Sequence, residues 1–105
     1  MDATFRALAD SSRRLLLDSL SRRGGQTLRQ LCAELSTTRQ AVSKHLAVLE
    51  DAGLVVTVRR GREKLHYLNP VPIHEIYERW IGKYERDRLQ AIRNLKAALE
   101  DQADQ

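Results

Sequence analysis

Apolar positions recur first at spacings of three and four, then alternate, then return to three and four along the 105 residues. That order predicts helices, a hairpin and more helix. Phe5, Leu8 and Ala9 mark a short amphipathic helix over residues 4–9, which "DSSRR" interrupts with capping residues. A second helix follows, capped by Ser11 or Ser12, with Leu15, Leu16 and Leu20 as its expected buried stripe. Gly24-Gly25 stop it after the basic last turn of Arg22 and Arg23. Thr27 is the next N-cap candidate, and Leu28, Leu31, Cys32 and Leu35 give a third helix of about two turns. Thr38 caps a fourth, which runs to "EDAG", where Gly53 can take the left-handed conformation that ends it.

Two helices joined by a short polar turn form a helix-turn-helix. The period then switches: "LVVTVRR" and "EKLHYLN" flank Arg60-Gly61-Arg62, a two-stranded hairpin with glycine at its tip. A hairpin directly after a helix-turn-helix is a wing. From Pro72 onward Ile73, Ile76, Tyr77, Trp80, Ile81 and Tyr84 form an apolar stripe, continued by Ile92, Leu95 and Leu99, with a break near "YERDR" left open. As one helix it would extend about 40 Å, beyond the body of so small a domain, so part of the stripe is expected to meet another subunit. The fold expected is mainly α with a small β-hairpin: a winged helix-turn-helix with a long C-terminal helical segment. One domain spans residues 1–105, its core about 4–69 and its C-terminal dimerisation helix about 72–101.

The fourth helix is unusual on its outer side. At about 100° per residue, Val42, Leu46 and Leu49 share one face, and Gln40, Ser43, Lys44 and Ala47 share the opposite one. That polar face is short-chained and holds no acid. The major groove of B-DNA admits one α-helix and presents base-edge donors and acceptors to such a face. Glutamine can bond adenine bidentately, lysine reaches guanine or phosphate, serine bonds either, and alanine allows close approach to a thymine methyl. Arg39 suits a phosphate, and Thr38 stands beside it at the helix start. Alone, such a helix would read as a solvated surface. The preceding helix and the basic hairpin, with Arg59, Arg60, Arg62 and Lys64, favour DNA and phosphate contact over a charged strand edge that repels other strands.

Charge supports this to a degree. The net charge is +4, and residues 1–69 carry 12 basic and 7 acidic side chains against 6 and 7 in residues 70–105. The surplus lies with the predicted helix-turn-helix and wing. Cys32 is the single cysteine, which excludes an intrachain disulfide and fits a reducing cytoplasm. No signal segment or membrane span is legible, and no phosphate loop, Ser/His/Asp set or carboxylate pair indicates an enzyme. Tyr77, Trp80 and Tyr84 could line an apolar ligand pocket, but their helical spacing favours core or dimer packing.

The runs "FRALADSSRRLLLDSL", "TLRQLCAELSTTRQAVSKHLAVLEDAGLV" and "RRGREKLHYLN" together resemble the ArsR-type winged-helix regulators, in order and spacing, over roughly residues 4–80. The resemblance implies a homodimeric repressor that inserts the helix beginning near Thr38 into the major groove of double-stranded DNA and lays the hairpin on the backbone or minor groove. It also implies frequent control of the protein's own operon. Ser36-Thr37 depart from the family, many of whose members have glycine in this turn. Metal-sensing members use cysteine pairs or trios on the third helix, or Asp/His sets on the last. Here Cys32 stands alone in an apolar stripe, and the last helix offers His74 with Glu75 and Glu78. His45 and His66 read as structural histidines. No metal site or cofactor is expected, and no effector is named by the residues. The expected function is sequence-specific DNA-binding transcriptional regulation, by a repressor on an inverted-repeat operator. The DNA contacts expected are Thr38, Arg39, Gln40, Ser43, Lys44, Arg60, Arg62 and Lys64. The dimer contacts expected are Phe5, Leu8, Tyr77, Trp80, Ile81 and Tyr84. A metal- or ligand-responsive sensor and a winged-helix protein-interaction module are the rival readings.

Overall fold

The computed structural model describes residues 1–82 and 86–103, the side chains of 86 and 87 excepted. Four helices come first: α1 (Asp2–Leu8), α2 (Ser11–Arg22), α3 (Leu28–Leu35) and α4 (Arg39–Asp51). Strands β1 (Val55–Arg60) and β2 (Glu63–Leu68) follow, then α5 (Val71–Trp80) and α6 (Arg86–Ala103). Met1–His74 and Glu75–Gln105 form two compact units.

Capping explains most of the helix boundaries in the first unit. Asp10, rather than Ser11 or Ser12, caps α2, because its carboxylate accepts from the amides of Ser12 (2.8 Å) and Arg13 (3.2 Å) while both serines lie inside the first turn. Those two amide bonds hold the Asp10 carboxyl below the ordinary carboxylate range, chiefly through Arg13. Arg13 and Arg14 reach back to close α1: their guanidinium groups donate to the carbonyls of Ala7 (2.7 Å), Arg6 (2.9 Å) and Leu8 (2.6 Å). Thr27 caps α3 in a reciprocal box with Gln30, and the Thr38 hydroxyl accepts from the Ala41 amide at 3.1 Å to start α4.

The core gathers Leu16, Leu17 and Leu20 of α2, Leu31 of α3, and Val42, Leu46 and Leu49 of α4, closed by Leu54 and Val55. Leu15 is not in the stripe but 54% exposed, and Leu17 takes its place. At about 100° per residue the buried arc runs from Ser19 through Leu16 and Leu20 to Leu17, which leaves Leu15 beyond its edge. Ser19 is buried on that arc because its hydroxyl donates to Glu34 (2.7 Å) and accepts from the Gln26 amide (3.0 Å). Glu34 also accepts from Arg22 at 2.9 Å; the Ser19 hydroxyl and then the Arg22 guanidinium hold its carboxyl below the usual range.

The hairpin is antiparallel, in register from Val55 opposite Leu68 to Arg60 opposite Glu63. Its two-residue loop is Gly61-Arg62, with Gly61 at φ +64°, as a primed turn demands. A bridge between Gln26 and His66 ties β2 to the segment entering α3. Asn69 then steers the chain out: its side chain donates to the Gly53 carbonyl (2.8 Å) and accepts from the Val71 amide (3.2 Å) at the start of α5.

The single C-terminal helix expected over about 72–101 is two helices. The amides of Ile81 and Gly82 both turn back to the Tyr77 carbonyl, at 2.7 and 2.8 Å, which closes α5 at Trp80, ahead of the break left open near "YERDR". Tyr84 lies outside the described residues.

Candidate nucleic-acid interface

Helix α4 is positioned by the side it buries. Val42, Leu46 and Leu49 are at most 4% exposed, which turns Gln40, Ser43, Lys44 and Ala47 to solvent on one face without an intervening acid. Thr38 and Arg39 are exposed at its start, where the free amides and the positive end of the helix dipole favour an anion. The Thr38 hydroxyl is engaged as the cap, so its place in the interface is to shape the helix terminus.

Between the beginning of α3, the flank of α4 and the hairpin runs an open groove of about 540 Å³, walled in part by Arg29, Arg39, Ser43, Ala47, Arg62 and Lys64. A shallow concavity along the outer side of α4 joins Arg39, Gln40, Ser43, Lys44 and Ala47. The structure therefore brings Arg62 and Lys64 of the wing beside Arg39 and Ser43 of α4. Arg59 and Arg60 are exposed on β1 but do not wall the groove.

Three features of this groove escaped the sequence reading. Arg29 enters it from α3. Glu50, one turn beyond the acid-free face, stands at its back with Oε1 3.3 Å from the Lys64 ammonium, so one expected phosphate ligand is already ion-paired. His66 is 4% exposed; its Nδ1 donates to the Gln26 carbonyl at 2.9 Å, and its Nε2 faces the same Glu50 oxygen at 3.9 Å. Only the fourth-helix polar face was visible from local spacing; these three meet across 16 to 37 positions of chain, which no periodicity encodes.

Elsewhere, Cys32 is half-buried against the core and His45 half-buried on α4. Among the described residues no three His, Cys, Asp or Glu side chains come together as a metal site would need. The expected dimer contacts Phe5, Tyr77, Trp80 and Ile81 are 44–50% exposed, and Leu8 is half-buried against the core. The Arg79 guanidinium lies 5.5 Å from the centre of the Trp80 ring. Among the described residues no helix is long and apolar enough to cross a membrane.

A helix-turn-helix whose second helix shows a polar face without acids from Arg39 to Ala47, with a basic hairpin beside it, defines a winged-helix DNA-binding protein. A helix-turn-helix domain model matches residues 8–58. The HTH-type transcriptional regulator YuzN of Bacillus subtilis is 48% identical over 86 residues, covering 76% of this chain and 94% of the relative. The arsenical resistance operon repressor of Escherichia coli is 33% identical over 96 residues, 87% of this chain and 80% of that one. Among solved structures, an ArsR-like transcriptional regulator from Rhodococcus superposes with a TM-score of 0.71 at 28% identity, over 98% of this chain and 88% of its own. The chain belongs to the ArsR family of helix-turn-helix transcriptional regulators, a family of DNA-binding proteins rather than enzymes.

Proposed function

We propose that the chain is a cytoplasmic homodimeric repressor that binds an inverted-repeat operator, including one upstream of its own gene, and excludes polymerase from the promoter. The observation that carries this is the solvent-facing row Gln40, Ser43, Lys44 and Ala47, flanked by Arg39 and Arg62. In this reading α4 enters the major groove. Gln40, Ser43 and Lys44 meet base edges, Ala47 lets the helix approach closely, and the α4 terminus at Thr38 and Arg39 meets a phosphate. Arg62 holds the next stretch of backbone, with Lys64 beside it, paired to Glu50, and Arg60 further out on the wing.

The dimer is supported by exposed apolar surface. Tyr77, Trp80 and Ile81 in and just after α5, and Ile92, Leu95 and Leu99 on α6, are each 45–61% exposed, large apolar side chains that a subunit interface would cover. A two-fold pair would offer two copies of α4 to half-sites about 34–36 Å apart. The Escherichia coli relative is a repressor. Nuclease footprinting on the protein's own upstream DNA tests the proposal. A protected inverted repeat with that spacing supports it, and uniform protection of unrelated DNA at the same concentration refutes it.

A further inference from the structure

We propose that His66 is a positioning residue that makes DNA binding proton-sensitive: protonated, it takes over Glu50 and releases Lys64 to the phosphate backbone. This rests on the reading of the α4–wing groove as a phosphate site.

The geometry at His66 constrains its chemistry. A carbonyl has no proton to give, so the 2.9 Å contact of Nδ1 with the Gln26 carbonyl requires the hydrogen on Nδ1. In the neutral ring Nε2 then carries a lone pair, and that lone pair faces Glu50 Oε1 at 3.9 Å. Two acceptors confront each other. That carboxylate oxygen is buried and accepts no hydrogen bond among the described residues, although the Lys64 ammonium stands 3.3 Å away. A proton on Nε2 would supply the missing donor, and a side-chain movement of about 1 Å would bring the pair to charge-assisted hydrogen-bond length.

The other charged groups around the site come from every element packed on it. Lys64 and Glu63 of β2, Arg62 of the loop, Arg29 of α3 and Arg39 of α4 wall the same groove. Arg23, at the end of α2, donates to the Gln26 side chain at 3.2 Å. With His66 neutral, Lys64 and Glu50 cancel each other where phosphate would bind. With His66 charged, Glu50 is answered from beneath, and the groove gains one positive charge at Lys64.

The test is fluorescence anisotropy of the full-length protein on its upstream duplex and on a random duplex at pH 6.0 and 8.0, across a salt series. The wild type should bind both duplexes about five- to tenfold more tightly at pH 6.0 in ~0.1 M salt, with the salt slope steeper by about one. His66→Asn keeps a donor for Gln26 but cannot take up the proton, and it should lose that pH dependence. Glu50→Gln, which removes the carboxylate charge at nearly the same volume, should bind at pH 8.0 as the wild type does at pH 6.0. A pH response that survives in either variant overturns the proposal. Failure to bind either duplex at any pH would instead overturn the phosphate-groove reading on which it stands.

Discussion

Replacing Ser36 by glycine should stabilise the protein. Ser36 ends α3 in the left-handed region, at φ 50° and ψ 45°, and is the one non-glycine residue with positive φ among the described residues. Its Cβ crowds the following carbonyl there, at a cost of roughly 1–2 kcal/mol for an L-residue. Glycine removes that cost but adds unfolded-chain freedom of roughly 0.5–1 kcal/mol, so the net gain is about 0–1.5 kcal/mol. Ser36→Val moves the other way, because a β-branched side chain is the least tolerant of this conformation. Urea unfolding at one fixed chain concentration reads both, the concentration being held because a dimer's midpoint depends on it. With a slope of about 1–3 kcal/mol per molar, the glycine variant's midpoint should rise by a few tenths of a molar with the slope unchanged. Because glycine adopts the same turn, α4 keeps its aim and affinity for operator DNA should not change. A glycine variant less stable than wild type would show that Ser36 is not strained, and the account of the turn would fall.

Four further outcomes are expected. Gln40→Ala should cost about 1–3 kcal/mol on the operator and almost nothing on random DNA, read by anisotropy at fixed salt; equal losses would remove Gln40 from base reading. Arg62→Ala should weaken binding to all sequences and lower the salt slope by about one, and an unchanged slope in the folded variant would place the hairpin tip in solvent. Trp80→Ala should cost the dimer about 2 kcal/mol or more and weaken operator binding with it; sedimentation equilibrium showing a wild-type monomer at micromolar concentration would refute the assembly. Because the Glu34 and Asp10 carboxyls are held below their ordinary range, each lends stability at neutral pH that fades as pH falls below about 4, so Glu34→Gln should flatten that acid loss, and an equally steep loss in the variant would mean the Ser19 and Arg22 contacts do not act.

What could be read from the sequence was what the chain decides locally. The caps Thr27 and Thr38, the glycine hairpin tip and the three-four periodicity of α3 and α4 involve residues within about one turn of each other, and each appears where the pattern put it. Ser36 was legible as a departure from the family's turn, and its left-handed backbone is the physical content of that departure. The stripe of α2 differs because Leu15, Leu16 and Leu17 are consecutive and spacing alone does not say which of them face inward, while the burial of Ser19 depends on bonds to Gln26 and Glu34 that arrive from 7 and 15 positions away. The end of α5 at Trp80 depends on two amides sharing the Tyr77 carbonyl, and no proline announces it. The groove was half-legible for the same reason: its α4 side is a helical period, while its α3 and wing sides are assembled by the fold.

The same distinction changes what the charge surplus means. Residues 1–69 carry 12 basic side chains, but counting them as a DNA-binding surface overstates it. Arg13 and Arg14 hold the carbonyl end of α1, Arg22 holds Glu34, Arg23 holds the Gln26 side chain and Lys64 holds Glu50. Five of the twelve are thus committed within the protein. Arg29, Arg39, Lys44 and Arg62, by contrast, border the outer face or the flank of α4. Net charge is therefore a weak argument for nucleic acid here, and placement is a stronger one: four of the seven cations without an internal partner in these contacts gather along α4, whose polar face carries no acid from Arg39 to Ala47. Glu50 and Glu63 also border the groove beside α4, and Glu50 is the residue to which both Lys64 and His66 are directed.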